Sequence, residues 1–310
     1  MEMFGMKRFV KVLFCFSLLL SVVMVAADFC YSLIVRNANE GNMEICKEVF
    51  DGEASADILV SGDSRVNTDC YPPVIDSLTG LECYAAGVIG HHFTVQRLRY
   101  DMYSEFNRKP SLLIQFVDNR LFHPLVTYDR KQFLPWMWKS KFLSSLPLDF
   151  SFSSFMMFVP WLRYHGCRLS EMSWRGKATL RGFFTYDLNH DFSRLPEEKL
   201  SFYKNKKNEE MFHSFLSEVK SEGIKIALVL APMYEGSSFD QELLDKIRMP
   251  FISISEEFGV PLLDYLDWPL CGDKSLFLDS VHLNLKGARI FSSQLARDLV
   301  EMEIIPVENK

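Results

Sequence analysis

Ala56-Asp57-Ile58-Leu59-Val60-Ser61-Gly62-Asp63-Ser64-Arg65 is a short apolar run closed by a glycine and followed by an acid and a hydroxyl. Such a run fits a central parallel strand, buried on both faces. The strand ends on Gly62-Asp63-Ser64, where glycine allows a sharp turn that delivers the serine. Near the other end of the chain, Asp279-Ser280-Val281-His282 places an acid three residues before a histidine. The two stretches supply a nucleophile, a general base and a carboxylate to orient the base, the parts that acyl transfer through a serine requires. Each also has a plainer reading. Gly-Asp-Ser is a common turn and helix N-cap, and Asp279 and His282 also read as a capping acid and a surface histidine.

Outward from this strand, strand-like and helix-like runs alternate. The segment from Val66 to Leu78 connects, partly helical despite Pro72 and Pro73. Leu81 to Val88 reads as a second strand, ending at Gly87-Val88-Ile89-Gly90. Phe93 to Phe106 has helical spacing in Val95, Leu98, Met102 and Phe106, and Ser111 to Val117 is a third strand ending on Asp118-Asn119. From Arg120 to Asn205 the alternation stops. Aromatic residues, Trp136, Trp138, Trp161 and Trp174 among them, scatter among proline, serine and glycine, which predicts an aromatic-rich insertion over the top of the core. Its most apolar part, Phe142 to Leu162, is no membrane span, because Pro147, Asp149, Pro160 and serines interrupt it. The alternation resumes with a helix from Asn208 to Ser221 ended by Gly223, a strand from Lys225 to Pro232, and a helix from Phe239 to Phe258 with Pro250 inside or at its break. A short strand from Val260 to Leu263 comes next, then a closing helix from Gly287 to Met302 with Ile290, Phe291, Leu295 and Leu299 inward. Strands alternating with helices predict an α/β fold with a mostly parallel sheet covered on both faces.

Ligands of open α/β sheets bind beyond the carboxyl ends of the strands. Ser64, Gly90 and Asn119 come after the first three strands, and Asp279 and His282 after the last. In this reading Ser64 attacks, His282 takes its proton, and Asp279 fixes the imidazole. Gly90, Asn119 and the Ser64 N–H are the candidate oxyanion donors; the alternatives are a left-handed turn at Gly90 and a strand-end turn at Asn119. Arg65 and Asp118 lie beside the site, either paired with one another or binding a charged substrate. His91, His92, His123, His165, His190 and His213 have no metal-ligand spacing, and no cofactor is expected.

The chain has 310 residues, 48% of them hydrophobic, enough for one large domain or two small ones. A net charge of −6 and the lack of a Lys/Arg-rich block exclude nucleic acid as an expected partner. Lys7, Arg8 and Lys11 precede the apolar run Val12 to Ala27, so the body is expected outside the cytoplasm. Residues 1–27 form either a signal peptide cleaved after Val25-Ala26-Ala27 or an uncleaved signal anchor. Residues 28–52 are an anchor-proximal segment, and 53–310 are the catalytic domain with its insertion at 120–205. Six cysteines, Cys30, Cys46, Cys70, Cys83, Cys167 and Cys271, lie beyond the leader without any CxxC. Cys70 with Cys83 is the nearest candidate disulfide, and free buried thiols are the alternative.

The pattern resembles the SGNH, or GDSL, hydrolase family. The likeness lies in Gly62-Asp63-Ser64, Gly87-Val88-Ile89-Gly90, Asp118-Asn119 and Asp279-Ser280-Val281-His282-Leu283-Asn284, together with Gly287-Ala288 and the closing helix. It covers roughly Asp57 to Leu299 without the insertion. The resemblance implies a flavodoxin-like three-layer α/β/α sandwich and Ser-His-Asp catalysis without a cofactor. Arg65 stands where the family usually has leucine, and the usual Gly-x-Asn-Asp third block is absent. No Gly-x-Ser-x-Gly elbow occurs, which argues against an ordinary α/β-hydrolase. With its N-terminal leader the layout is similar to membrane-tethered bacterial SGNH-type proteins that acylate or deacylate wall polymers and exopolysaccharides. This implies a serine esterase or O-acyltransferase of the cell envelope, on the periplasmic side, acting on an acylated carbohydrate or other ester. The alternatives are a non-catalytic SGNH-like protein that binds a polysaccharide or an envelope protein partner through its insertion, and a lipase-like enzyme with Phe142 to Leu162 as lid.

Overall fold

The apolar run before Gly62 forms strand β1 (Ile58–Ser61), flanked in the sheet by β2 (Cys83–Ala85) and β3 (Leu112–Phe116). The computed structural model describes residues 2–38, 41–90, 92–123, 133–137, 139, 156, 159–164, 179–184, 205–236 and 241–305. Most of the expected insertion, with His91, His165, His190, Cys167, Trp138 and Trp174, lies outside the described residues. Strands β6 (Lys225–Leu230) and β7 (Leu262–Asp264) complete a five-stranded sheet of order β2-β1-β3-β6-β7, parallel throughout. Within the insertion, β4 (Thr179–Leu180) and β5 (Phe183–Phe184) make a small antiparallel pair.

Side chains alternate between the two faces of the sheet, as the pleat requires. Leu59, Leu113, Ile226, Leu228 and Leu230 enter one buried cluster, while Ile58, Val60, Leu112, Ile114, Ala227 and Val229 enter the other. The first face is covered by α2 (Gly41–Asp51), α5 (Phe93–Phe106), α6 (Lys206–Ser221) and α7 (Gln241–Phe258), the second by α3 (Ser64–Asp69), α4 (Pro72–Thr79) and α8 (Leu285–Glu301). This is the three-layer α/β/α sandwich with the flavodoxin-type strand order.

Several elements depart from their expected form for identifiable reasons. The segment after Ser64 is two helices, because Pro72 sits at the first turn of α4, where its missing N–H costs nothing. In α8 the inward stripe is Ala288, Phe291, Leu295 and Leu299. Ile290 is exposed, about 100° round the helix from Phe291. Residues Gly41–Asp51 are a helix whose Ile45, Cys46 and Val49 are fully buried in the core. The N-terminal helix α1 runs from Glu2 to Arg36 without stopping at Asp28, and it is long and apolar enough to cross a membrane.

Candidate active site

The turn after β1 is built by crowding. A Cβ at Gly62 would lie 2.7 Å from Val66 Cγ2 and 2.8 Å from Phe116 Cβ, so no larger residue fits between α3 and β3. Asp63 caps α3 by accepting the Arg65 N–H at 3.0 Å, which leaves Ser64 as the first helical residue on the rim of the sheet. On the facing side, Phe277 and Leu283 form a bridge, Leu278 N–H donates to His282 O at 2.8 Å, and Asn284 caps α8 by accepting the Gly287 N–H at 3.0 Å. These bonds hold the 278–284 loop closed at the entrance to α8.

The loop delivers His282 to Ser64. Ser64 Oγ and His282 Nε2 are 2.8 Å apart, and His282 Nδ1 and Asp279 Oδ2 are 2.7 Å apart. An ionised carboxylate only accepts, so the Nδ1 proton faces Asp279 and Nε2 is left to accept from the serine. Asp279 Oδ1 also accepts the Val281 and His282 N–H groups at 2.9 and 2.8 Å, which locks the acid within its own turn. Burial alone would lower the His282 pKa; the bond to Asp279 and the charges of Asp279, Asp69 and Asp63 outweigh it and raise it. Burial pulls Asp279 the other way, yet His282 and the two N–H groups hold its carboxyl below the usual value.

The remaining sequence-derived candidates fall around this line. Asn119 is buried just past β3. Gly90 is exposed with φ 67°, and a Cβ there would meet nothing, as befits a left-handed turn. Gly87 is the glycine that lies against the Gly62-Asp63-Ser64 turn: a Cβ on it would sit 2.5 Å from Asp63 O and 2.4 Å from Asn67 Oδ1. Asp118 is half-buried; burial and the adjoining Asp63 carboxyl push it up to about 7, with Arg65 opposing. Arg65 is only 4% exposed, its Nη2 donates weakly to Val117 O at 3.4 Å, and its Nε has no hydrogen-bond partner.

Sequence reasoning passed over Asp69. It is fully buried, and its Oδ1 accepts the Leu283 N–H and the Thr68 hydroxyl, each at 2.8 Å, so it ties α3 to the residue after His282. Its Oδ2 has no hydrogen-bond partner. Burial pushes its pKa up to about 6, with the charges of His282 and Arg65 limiting the rise. An acid on the inner side of the helix that starts at the nucleophile was the available signal. Cys70 and Cys83 are free, buried thiols, and Cys83 is raised well above its ordinary value by burial and by Cys70. Among the described residues no group of three or more His, Cys, Asp or Glu is placed to hold a metal ion. A cleft of about 400 Å³ opens beyond β6 and β7, bordering the histidine loop where Tyr234 N–H donates to Ser280 O at 2.9 Å.

Comparison with protein-family models and with curated proteins returns no match. Among solved structures, the chain is similar to a protein described as lipolytic and of the G-D-S-L family, from Desulfitobacterium hafniense DCB-2. That likeness has a TM-score of 0.42 and 13% identity over 77% of this chain and 97% of the other. It is also similar to a protein from Streptococcus pneumonia described as a platelet activating factor, with a TM-score of 0.43 and 12% identity over 89% and 98% of the two chains. A third, described as an acylhydrolase from Bacteroides fragilis NCTC 9343, has a TM-score of 0.37 and 12% identity over 78% and 86%.

Proposed function

We propose that this chain is an extracytoplasmic serine esterase or O-acyltransferase, anchored by α1, that acts on an acyl ester of an envelope carbohydrate or a similar substrate. The observation that carries this reading is the continuous line from Ser64 Oγ through His282 to Asp279, at 2.8 and 2.7 Å. Ser64 Oγ attacks the ester carbonyl as its proton passes to His282 Nε2. The Ser64 N–H, with Gly90 and Asn119 as the further candidate donors, stabilises the negative oxygen of the tetrahedral intermediate. Collapse breaks the bond to the alcohol, which leaves with the proton from His282. An acyl-serine remains, and His282 then deprotonates either water or a sugar hydroxyl, which attacks the acyl carbon and restores Ser64. Asp279 orients the imidazole and stabilises its protonated form throughout. Asp69 acts one step back as a positioning residue, through the Leu283 N–H and its charge near His282.

The test is labelling of the full chain in detergent with a fluorophosphonate, together with hydrolysis of an activated acetyl ester. Wild type should react with both, and Ser64→Ala should lose labelling and at least about 10³-fold in rate. Equal labelling of the two, or equal inertness, would remove the catalytic reading and leave a non-catalytic scaffold.

A further inference from the structure

The membrane helix meets an acid before a bilayer has been crossed. Val12 to Ala27 is sixteen residues, about 24 Å of helix against a hydrocarbon core of ~30 Å, so about four more residues complete the span. Those residues are Asp28, Phe29, Cys30 and Tyr31, and α1 does continue through them to Arg36. A bare carboxylate at that depth is strongly disfavoured. Asp28 is not bare. Arg163 grips it with two parallel bonds, Nε to Oδ1 and Nη2 to Oδ2, both 2.7 Å. The Trp161 N–H donates to Oδ1 at 2.8 Å, and Ser32 Oγ bonds to Arg163 Nη2 at 2.9 Å and to Tyr164 Oη at 2.6 Å. Asp28 is 6% and Arg163 4% exposed.

This cluster sorts the helix into two faces. Asp28, Ser32 and Val35 turn toward the body, while Phe29, Leu33 and Ile34 stay exposed and continue the apolar surface of the span. From the body, Trp161 and Leu162 are exposed beside it, at 44% and 39%, and the Trp161 ring stands edge-on to Tyr31 with centroids 5.4 Å apart. Trp161 has φ 70°, a conformation that is strained for a bulky residue and persists only where its surroundings enforce it. Here the Asp28 carboxylate holds its N–H.

We propose that residues 159–164 form a membrane-interface element, with Trp161 and Leu162 set into the interfacial layer of the phospholipid bilayer that α1 crosses. The occupant is fixed by continuity with the span, by the four residues the span lacks, and by tryptophan and tyrosine side by side at the depth where such rings settle. The proposal rests on the reading of α1 as a retained anchor. Its consequence is a body clamped at one orientation to the membrane, with the Asp28–Arg163 pair as the clasp.

The test uses the full chain in phosphatidylcholine vesicles with and without lipid brominated near the top of its acyl chains. The emission lost on Trp161→Phe, the difference between wild type and variant, should fall at least twofold in brominated vesicles. Asp28→Ala should weaken that quenching at least twofold while the protein stays membrane-bound through alkaline carbonate extraction. Fluorophosphonate labelling of Ser64 reports that each variant is folded. Difference emission that is insensitive to bromine, in carbonate-resistant protein, overturns the interface element alone. Release of wild type by carbonate overturns the anchor reading with it.

Discussion

Asp69→Asn distinguishes a site that uses one carboxylate from a site that uses two. Asp69 is fully buried, and burial lifts its pKa from 3.8 to about 6. Holding it ionised at neutral pH therefore costs the fold on the order of 3 kcal/mol, at ~1.36 kcal/mol per pH unit. The folded-state pKa is the higher one, so this group favours the folded protein most below the unfolded value of 3.8, and that advantage is gone once pH passes about 6. Asparagine cannot ionise and keeps an oxygen for the Leu283 N–H. The variant should melt above wild type at pH 8, by ~2–4 °C for each kcal/mol regained, with the difference shrinking at pH 4.5. The functional consequence runs the other way. Asp69 stands behind Asp279 among the groups that raise His282. An opposite charge close by favours the protonated imidazole, so loss of this second carboxylate should lower the His282 pKa. His282 must be neutral to accept the Ser64 proton, so the acidic limb of kcat/KM should move to lower pH in Asp69→Asn. The assay is hydrolysis of p-nitrophenyl acetate from pH 5 to 9 by detergent-solubilised full chain, with circular-dichroism melts at both pH values. A limb that stays where it is in wild type, or a variant that melts below wild type at pH 8, would refute the reasoning.

Two further substitutions probe the floor of the site. Asp118 is pushed up to about 7 by burial and by Asp63, so its protonated form favours the fold below the usual carboxylate pKa and that contribution is lost as pH rises through 7. Asp118→Asn keeps a donor for Asp63 at every pH, and melts recorded from pH 5 to 8 should decline less toward alkaline pH than those of wild type, with the Asp69 contribution remaining. Gly87→Ala puts a methyl group 2.5 Å from Asp63 O, which should destabilise by ~1–3 kcal/mol in denaturant titrations and lower kcat by ~10²-fold as the nucleophile turn moves.

Much of this was legible in the chain because the sheet is a repeated local signal. Each core strand announces itself as an apolar run, and Ser64 and Asn119 are candidates because they stand just past the ends of such runs. The Asp279–His282 spacing was readable because three residues in a loop let one turn close on itself, as the paired bonds to Val281 and His282 N–H show. The features that escaped were tertiary. Asp28 reads as a lone charge that interrupts the apolar run, because its partner Arg163 lies 135 positions away. Ile290 was placed inward because it is apolar, yet the stripe that buries in α8 is fixed by the surfaces α4 and α3 present to it. Asp69 reads as one more polar residue in Arg65-Val66-Asn67-Thr68-Asp69 until the histidine loop is laid across it.

The departure at Arg65 takes on a meaning from the same geometry. Burial raises the pKa values of both Asp69 and Asp118, and the charge of Arg65 opposes both rises. A guanidinium that is itself 4% exposed, with one N–H left without a partner, is costly on its own account. The charges of Asp69 and Asp118, whose pKa rise Arg65 opposes, offset part of that cost. Arg65 therefore links two acids that do not act on one another directly, and a change at Arg65 should be felt as a rise in the pKa of both Asp69 and Asp118.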